Sequence, residues 1–198
     1  MNSLQNQIKQ SKYIIALIIL FFSVFSHFIF FGHPKQVVFD EVHFGGFVQG
    51  YFTHEYYFDI HPPLGKLMIG GVGWIFQYNP AENYEKIGNQ YADDFYMALR
   101  LLPIITGTIL PLIIYGLCRE LKLSKMASFF AAMLIILENA LLVQSRFILL
   151  DAFLILFGFL AFYCYMKYVN TKLFGYIIGA FVLCSLAISI KWTGLSFL

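Results

Sequence analysis

The chain has 198 residues, of which 60% are hydrophobic and only 12% are charged. A water-soluble domain of this length could not expose so apolar a surface without aggregating, so the composition excludes a soluble globular protein and indicates one that lies in a lipid bilayer. The formal net charge of +2 and the lack of a basic run argue against a partner that is a nucleic acid.

Long runs without charges predict membrane-spanning helices, because each charge placed in hydrocarbon costs several kcal/mol. The first run, residues 13–31, is close to the ~20 residues that a helix needs to cross the hydrocarbon core, and it is longer than the apolar core of a signal peptide. We therefore expect a retained anchor there. Pro103 and Pro111 lie inside the second run and predict a kink rather than an end. The five predicted spans are 13–31, 101–118, 126–143, 147–166 and 173–190.

Basic residues predict the orientation, because short cytoplasmic loops are enriched in Lys and Arg. Such residues precede the first span and occupy the connections between spans two and three and between spans four and five. Residues 1–12 are therefore predicted to be a cytoplasmic N-terminus, and the loop 32–100 is predicted to lie outside, in the lumen or periplasm. That loop holds eight acidic residues against four basic ones, which agrees with the same orientation.

Loops as long as residues 32–100 are uncommon unless they carry function. Pro62 and Pro63 precede an apolar stretch in which Lys66 is the only charge, which predicts a short helix at the membrane surface with Trp74 and Tyr78 at headgroup depth. The segment after Glu41 is a second helical candidate, although its three glycines disfavour a helix.

Seven charged residues fall on the predicted outer side of the bundle, at or near the ends of spans. Such charges are functional candidates, because burial without a purpose is costly. They suit a reaction between a lipid-borne phosphosugar and an acceptor on the water side, in which carboxylates act as a base or orient the acceptor and cations hold a phosphate. These residues are Asp40, Glu41, Arg100, Glu138, Arg146, Asp151 and Lys191.

Inverting transfer to a hydroxyl needs one base opposite the leaving phosphate, and Asp40 is the predicted base. Simpler interpretations stay open at this point. Asp40 and Glu41 can be a solvated pair or a helix cap. The cations Arg100, Arg146 and Lys191 can be interfacial side chains that extend to the headgroups. Asp151 can form a structural ion pair with Arg146.

Three histidines of the outer loop raise the possibility of a metal site. His43, His54 and His61 are eleven and seven residues apart, which matches no compact ligand motif, so no metal is predicted. His61 is expected instead to shape the turn that Pro62 and Pro63 continue. The three cysteines lie in predicted spans and are expected to be packing residues.

Five stretches, in this order, resemble signatures of the protein O-mannosyltransferase family. Two lie in the outer loop, FDEVHFG at 39–45 and YFDIHPPLGK at 57–66. Three follow, MALRL at 97–101, QSRFILLD at 144–151 and IKWTGL at 190–195. The resemblance covers nearly the whole chain but only the N-terminal part of the family's architecture.

The resemblance implies an all-α polytopic transmembrane bundle of the GT-C type. It implies transfer of mannose, with inversion, from a dolichyl- or polyprenyl-phosphate carrier to Ser or Thr hydroxyls of proteins, with no cofactor beyond that donor substrate. By position, Asp40 matches the family's catalytic acidic residue, Glu41 its neighbour, and Arg100 an arginine near the active site. Arg146 and Lys191 match motif positions that we assign to the phosphate. His61, Glu138 and Asp151 are expected to support the site.

The family continues through more spans, so we expect the remaining spans to follow Leu198 or a homologous or C-terminal partner chain to complete the site. The membrane is expected to be the endoplasmic reticulum membrane or a bacterial plasma membrane. Two other functions stay open: transfer of another lipid-linked sugar to lipid or glycan, and a transporter or non-catalytic membrane subunit. A transporter predicts charges near the bilayer midplane or a repeated half-chain, and neither is visible.

Overall fold

The computed structural model describes the backbone of residues 2–198 and the side chains of residues 13–198, so the side chains of the predicted cytoplasmic segment 1–12 lie outside the described part. Within that part the regular structure is helical, apart from one antiparallel bridge between Gln36 and Gln90. The helices are α1 (Asn2–Phe28), α2 (Glu41–Thr53), α3 (Leu64–Ile75), α4 (Tyr96–Glu120), α5 (Lys125–Leu137), α6 (Asn139–Ser145), α7 (Asp151–Thr171), α8 (Phe174–Ile190) and a 3-10 helix (Trp192–Phe197).

Helix α4 is the centre of the bundle and packs against α1, α3, α5, α6 and α7. It runs without interruption through Pro103 and Pro111, so neither proline ends it. Two hydroxyl groups bond to main-chain carbonyls of this helix. Thr106 Oγ1, in the same helix, donates to the carbonyl of Pro103 at 2.7 Å. Ser23 Oγ, from α1, donates to the carbonyl of Thr108 at 2.8 Å. Such side-chain bonds are how a transmembrane helix tolerates proline.

Each of the five predicted spans coincides with helix. Within the described side chains, α4 and α7 are long and apolar enough to cross a membrane, and α5 with α6 is a third span if the bent pair crosses as one. The other two coincide with shorter apolar stretches, Tyr13–Phe28 and Phe174–Ile190. The apolar helical bundle agrees with the composition, while the number of five spans stays a prediction.

Two span boundaries differ from those that the charge pattern predicts, and polar groups explain both. The third span is bent by 59° where α5 ends and α6 begins, because the Glu138 carboxylate accepts the N–H of Leu141 at 2.7 Å and starts a new helix. The fourth helix begins at Asp151 rather than at Phe147, because residues 147–149 form a tight turn in which the N–H of Leu149 bonds to the carbonyl of Phe147, while the N–H of Ile148 bonds to Glu41. Asp151 therefore starts α7 and does not lie a turn inside it.

Both short helices predicted in the outer loop are present, as α2 and α3. Trp74 at the end of α3 is 76% exposed, as expected of a residue at headgroup depth. Tyr78, predicted beside it, is instead buried, with its ring 5.2 Å from that of Phe52 and its hydroxyl 3.3 Å from that of Tyr84. A tyrosine that fills the loop's own core needs such a partner for its hydroxyl.

Gly107 permits the close approach of α4 to α6. A Cβ atom at this position would lie 2.4 Å from Cβ of Ser145 and 2.7 Å from its Oγ. We expect Gly107→Ala to lower the free energy of unfolding by about 1–3 kcal/mol through overpacking. Denaturant unfolding in detergent micelles measures this, with Gly175→Ala as the matched control because nothing lies within 4 Å of a Cβ there. Equal losses in the two variants would contradict the close approach.

Candidate functional site

The outer loop places Asp40 immediately before α2, at its N-cap position. Its side chain nevertheless does not cap the helix, because main-chain carbonyls already accept the first amides: those of Val38, Phe39 and Asp40 take the N–H groups of residues 41–44. The Asp40 carboxylate is half-buried, and no described side chain or amide bonds to it. The backbone of Asp40 is therefore held in the first turn of α2, while its carboxylate has no hydrogen-bond partner among the described residues.

Glu41, the next residue, has a carboxylate that is fully buried. Arg100 of α4 donates to it twice, from Nε to Oε1 and from Nη2 to Oε2, each at 2.8 Å. Three other donors complete its surroundings: the N–H of Val38 at 2.9 Å, and the Tyr91 hydroxyl and the N–H of Ile148, both at 3.0 Å. We call Glu41, Arg100, Tyr91 and these two amides the buried clamp.

Arg100 is likewise fully buried and uses its other hydrogens to hold the start of the loop. Its Nη1 donates to the carbonyl of Pro34 at 2.9 Å, and Nη2 donates to that of Gln36 at 3.1 Å. Burial raises the pKa of Tyr91, and the nearby Glu41 charge raises it further, so the phenol keeps the proton that it donates. The guanidinium also lies over three rings, those of Tyr91, Tyr96 and Phe147.

The buried clamp bears on two roles that the sequence predicts. Glu41 is predicted as a second catalytic carboxylate, but both of its oxygens are saturated and none of its surface is exposed. Arg100 is predicted to bind phosphate, but its donors are used inside the protein. Both residues therefore hold the Asp40 loop against α4 and the α6–α7 connection, and their roles toward a substrate stay predictions.

A second ion pair lies at the same end of the bundle and remains accessible. Lys191, which follows α8, donates from Nζ to both carboxylate oxygens of Asp151 at 2.9 Å. Their side chains are 14% and 28% exposed. The Lys191 Nζ also lies 5.5 Å from the centroid of Phe44, one helical turn after Asp40. This brings a partly exposed cation close to the α2 turn that Asp40 begins.

Arg146 does not join that pair, contrary to the predicted pairing with Asp151. Its guanidinium donates to the carbonyl of His27, at 3.2 Å from Nε, and to that of Ser26. It lies over the ring of Phe30, with 5.8 Å to the centroid. Cations near the end of a helix neutralise unpaired carbonyls and the negative pole of the dipole, so Arg146 caps the end of α1, and its role at a phosphate stays a prediction.

The turn before α3 contains a buried ion pair that the sequence analysis does not single out. Lys66 pairs with Asp59, with 2% and 8% of their side chains exposed. Although burial by itself raises the pKa of Asp59, the bonds from Lys66 and from the N–H of His61 outweigh it and lower that pKa. The signal was present in the sequence, because Lys66 is the only charge in an apolar helix and therefore needs a partner nearby.

The other two predicted site residues, Glu138 and His61, contact neighbouring parts of the protein. Glu138 is exposed and caps α6, and the His61 ring packs against that of Phe44 with 6.0 Å between the centroids. Among the side chains of residues 13–198, no three His, Cys, Asp or Glu groups come together as a metal site. The structure thus brings Asp40, Phe44, His61, Asp151 and Lys191 into one neighbourhood.

Charges at the other end of the bundle are separate from this neighbourhood. Lys167 donates to Glu120 at 3.0 Å, and Asn170 donates to the same carboxylate at 3.0 Å. These residues lie at the ends of α4 and α7 that are remote from Arg100 and Asp151. The site therefore occupies one end of the bundle, as the sequence predicts.

Comparisons with known proteins give one consistent result. The model of the family described as dolichyl-phosphate-mannose-protein mannosyltransferase matches residues 17–198. The chain is 35% identical over 193 residues to dolichyl-phosphate-mannose–protein mannosyltransferase 4 of Candida albicans, covering 92% of this chain and 26% of that protein. It is 32% identical over 173 residues to protein O-mannosyl-transferase 1 of Mus musculus, covering 82% and 23%.

A solved structure is similar as well, that of the S. cerevisiae protein O-mannosyltransferase Pmt1-Pmt2 complex bound to the sugar donor. It superimposes with a TM-score of 0.90 at 27% identity, over 94% of this chain and 26% of that one. The predicted GT-C-type transmembrane bundle is confirmed by this likeness. The chain spans about a quarter of the length of the relatives that it matches.

Proposed function

Because the chain belongs to the dolichyl-phosphate-mannose-protein mannosyltransferase family, we propose that the protein transfers mannose from dolichyl phosphate mannose to Ser or Thr hydroxyls of proteins. In this proposal Asp40 takes the proton of the acceptor hydroxyl, whose oxygen attacks the anomeric carbon. The bond from that carbon to the phosphate oxygen breaks on the opposite face, so the configuration inverts and the lipid phosphate leaves.

One observation carries the role of Asp40. Among the three predicted site carboxylates Asp40, Glu41 and Asp151, it is the one that is neither saturated, as Glu41 is, nor paired to a cation, as Asp151 is. A base that already accepts several hydrogen bonds is a poor proton acceptor, whereas a fixed carboxylate without a partner is a good one. The buried clamp supports this role because it holds the backbone next to Asp40 in place.

Lys191 is the proposed cation for the leaving phosphate, and Asp151 holds it when no donor is bound. Asp151 accepts two bonds from Nζ, and the pair keeps some exposure, so phosphate oxygens can replace the carboxylate. In this proposal Lys191 supplies the positive charge for the leaving phosphate, and the donor itself supplies the activated bond.

A substitution at Lys191 tests this assignment. We expect Lys191→Gln to raise the KM for dolichyl phosphate mannose about tenfold or more, since a hydrogen bond to a charged group contributes about 1.5–3 kcal/mol. Kinetics of the full-length protein with a peptide acceptor measure it. Lys172→Gln is the control, because Lys172 ends α7 at the pole opposite Asp151. An unchanged donor KM in Lys191→Gln would remove Lys191 from the phosphate site.

The relatives compared above are from fungi and a mammal, which favours the endoplasmic reticulum membrane over a bacterial one as the location. The similar solved structure is a complex of two family proteins, and on that likeness we propose that this protein also works with a homologous partner chain. Transfer of another lipid-linked sugar is the second candidate function. Assays that offer peptide acceptors and lipid acceptors to the same donor separate the two.

A further inference from the structure

The turn at His61 is held by several hydrogen bonds to its main chain. Its N–H donates to Asp59 Oδ1 at 3.2 Å, and its carbonyl accepts from Lys66 Nζ at 3.0 Å. Lys66 also pairs with Asp59 and donates to the carbonyl of Pro62 at 3.4 Å. The buried Lys66–Asp59 pair thus bonds to both the N–H and the carbonyl of His61. These bonds fix the backbone that carries the His61 side chain.

The ring of His61 is oriented as well, but its nitrogens are not satisfied within the protein. The imidazole packs against Phe44, with an angle of 32° between the rings. Its Nδ1 is buried without a hydrogen-bond partner among the described residues, whereas Nε2 is not enclosed in this way. The same Phe44 ring faces Lys191 Nζ at 5.5 Å, so His61 and the proposed phosphate-binding cation flank one aromatic side chain.

The position of the proton follows from these surroundings. A neutral imidazole carries one N–H donor and one acceptor nitrogen. Buried N–H groups without an acceptor are rarer in proteins than buried acceptors without a donor, so the buried Nδ1 is the nitrogen without hydrogen. The hydrogen is then on Nε2, which presents a donor on a side chain that packs against the same Phe44 ring as Lys191. Anionic oxygen is the acceptor that such a donor binds best.

We propose that His61 is a donor-binding residue whose Nε2–H donates a hydrogen bond to an anionic oxygen of the lipid phosphate, next to the oxygen held by Lys191. This inference rests on the proposed function, because it takes dolichyl phosphate as the ligand. The neutral imidazole adds a directed hydrogen bond to the point charge of the lysine. In this assignment the turn formed by Asp59, Lys66 and the two prolines orients the His61 side chain toward the phosphate.

Binding of dolichyl phosphate, the donor without its sugar, tests the assignment in the purified full-length protein. His61→Gln places an amide nitrogen where Nε2 lies, His61→Asn places one where Nδ1 lies, and His61→Phe keeps only the ring that packs against Phe44. We expect the Gln variant to bind within about threefold of the parent. The Asn and Phe variants should bind about tenfold or more weakly.

Thermal unfolding of each variant separates binding from folding. If the Asn variant is destabilised, the comparison of Gln with Phe decides, because Phe preserves the aromatic contact. A Phe variant that binds dolichyl phosphate as tightly as the parent overturns the inference. Mannose transfer is measured separately: a parent that binds the phosphate through His61 but transfers no mannose contradicts the proposed function, while the His61 assignment stands.

Discussion

Replacing Asp40 with asparagine in the full-length protein is expected to lower mannose transfer by about 10²- to 10⁴-fold, the usual contribution of a general base. The amide has almost the same shape as the carboxylate but cannot accept the hydroxyl proton. Since the Asp40 side chain forms no hydrogen bond in the described part of the protein, folding and membrane insertion should be unaffected. Turnover of dolichyl phosphate mannose with a peptide acceptor measures the loss.

Asp94→Asn is the matched control for this experiment. Asp94 also belongs to the outer loop, but its side chain is 67% exposed and pairs with Lys35 at 2.8 Å. The control variant should keep the turnover of the parent. Donor binding by Asp40→Asn should also remain, because the lost step is proton transfer and not recognition of the phosphate. Turnover at the parental rate in Asp40→Asn would remove this carboxylate from the mechanism.

Arg100→Met is expected to destabilise the protein by about 3–5 kcal/mol, because it leaves the Glu41 carboxylate buried without its cation. Glu41→Gln should act in the same direction, since its amide nitrogen would face the donors of Arg100 or Tyr91. Denaturant unfolding in detergent micelles measures both losses. Lys35→Met serves as the control and should leave the unfolding midpoint unchanged, because Lys35 forms an exposed ion pair.

The double variant Glu41→Leu with Arg100→Met, compared with Glu41→Leu alone and Arg100→Met alone, gives the coupling between the two side chains. Removing both charges avoids an unpaired ion, so the double variant should lose less stability than the two single variants together. The amides of Val38 and Ile148 would still lose their acceptor, which prevents full recovery. Additive losses would show that Glu41 and Arg100 do not act as a pair.

The helices were largely predictable from the sequence, because lipid permits few backbone structures and charge-free runs mark where they lie. Boundaries were less predictable where a side chain took a backbone amide. In the sequence, Glu138 is only a charge near the end of the third predicted span. The structure shows that its carboxylate caps α6. Likewise, nothing near Ile148 in the sequence indicates that its amide bonds to a carboxylate 107 residues earlier.

Among the site residues, the sequence indicated which charges gather at one end but not which of them pair. Arg146 and Asp151 are neighbours in the chain, yet Arg146 binds the end of α1 while Asp151 binds Lys191, 40 residues later. The choice depends on the directions in which helices present their side chains. Asp40 and Glu41 differ for the same reason, since successive side chains at the start of a helix point about 100° apart and meet different surroundings.

The buried clamp also sets an order of events during biosynthesis. Its acceptor, Glu41, leaves the ribosome first, Arg100 follows 59 residues later, and the amide of Ile148 follows 107 residues after Glu41. Until the third predicted span and the turn after it have emerged, the Glu41 carboxylate lacks the amide of Ile148, and the buried clamp is incomplete. A nascent polypeptide halted before that turn therefore cannot yet tie the Asp40 loop to the α6–α7 connection.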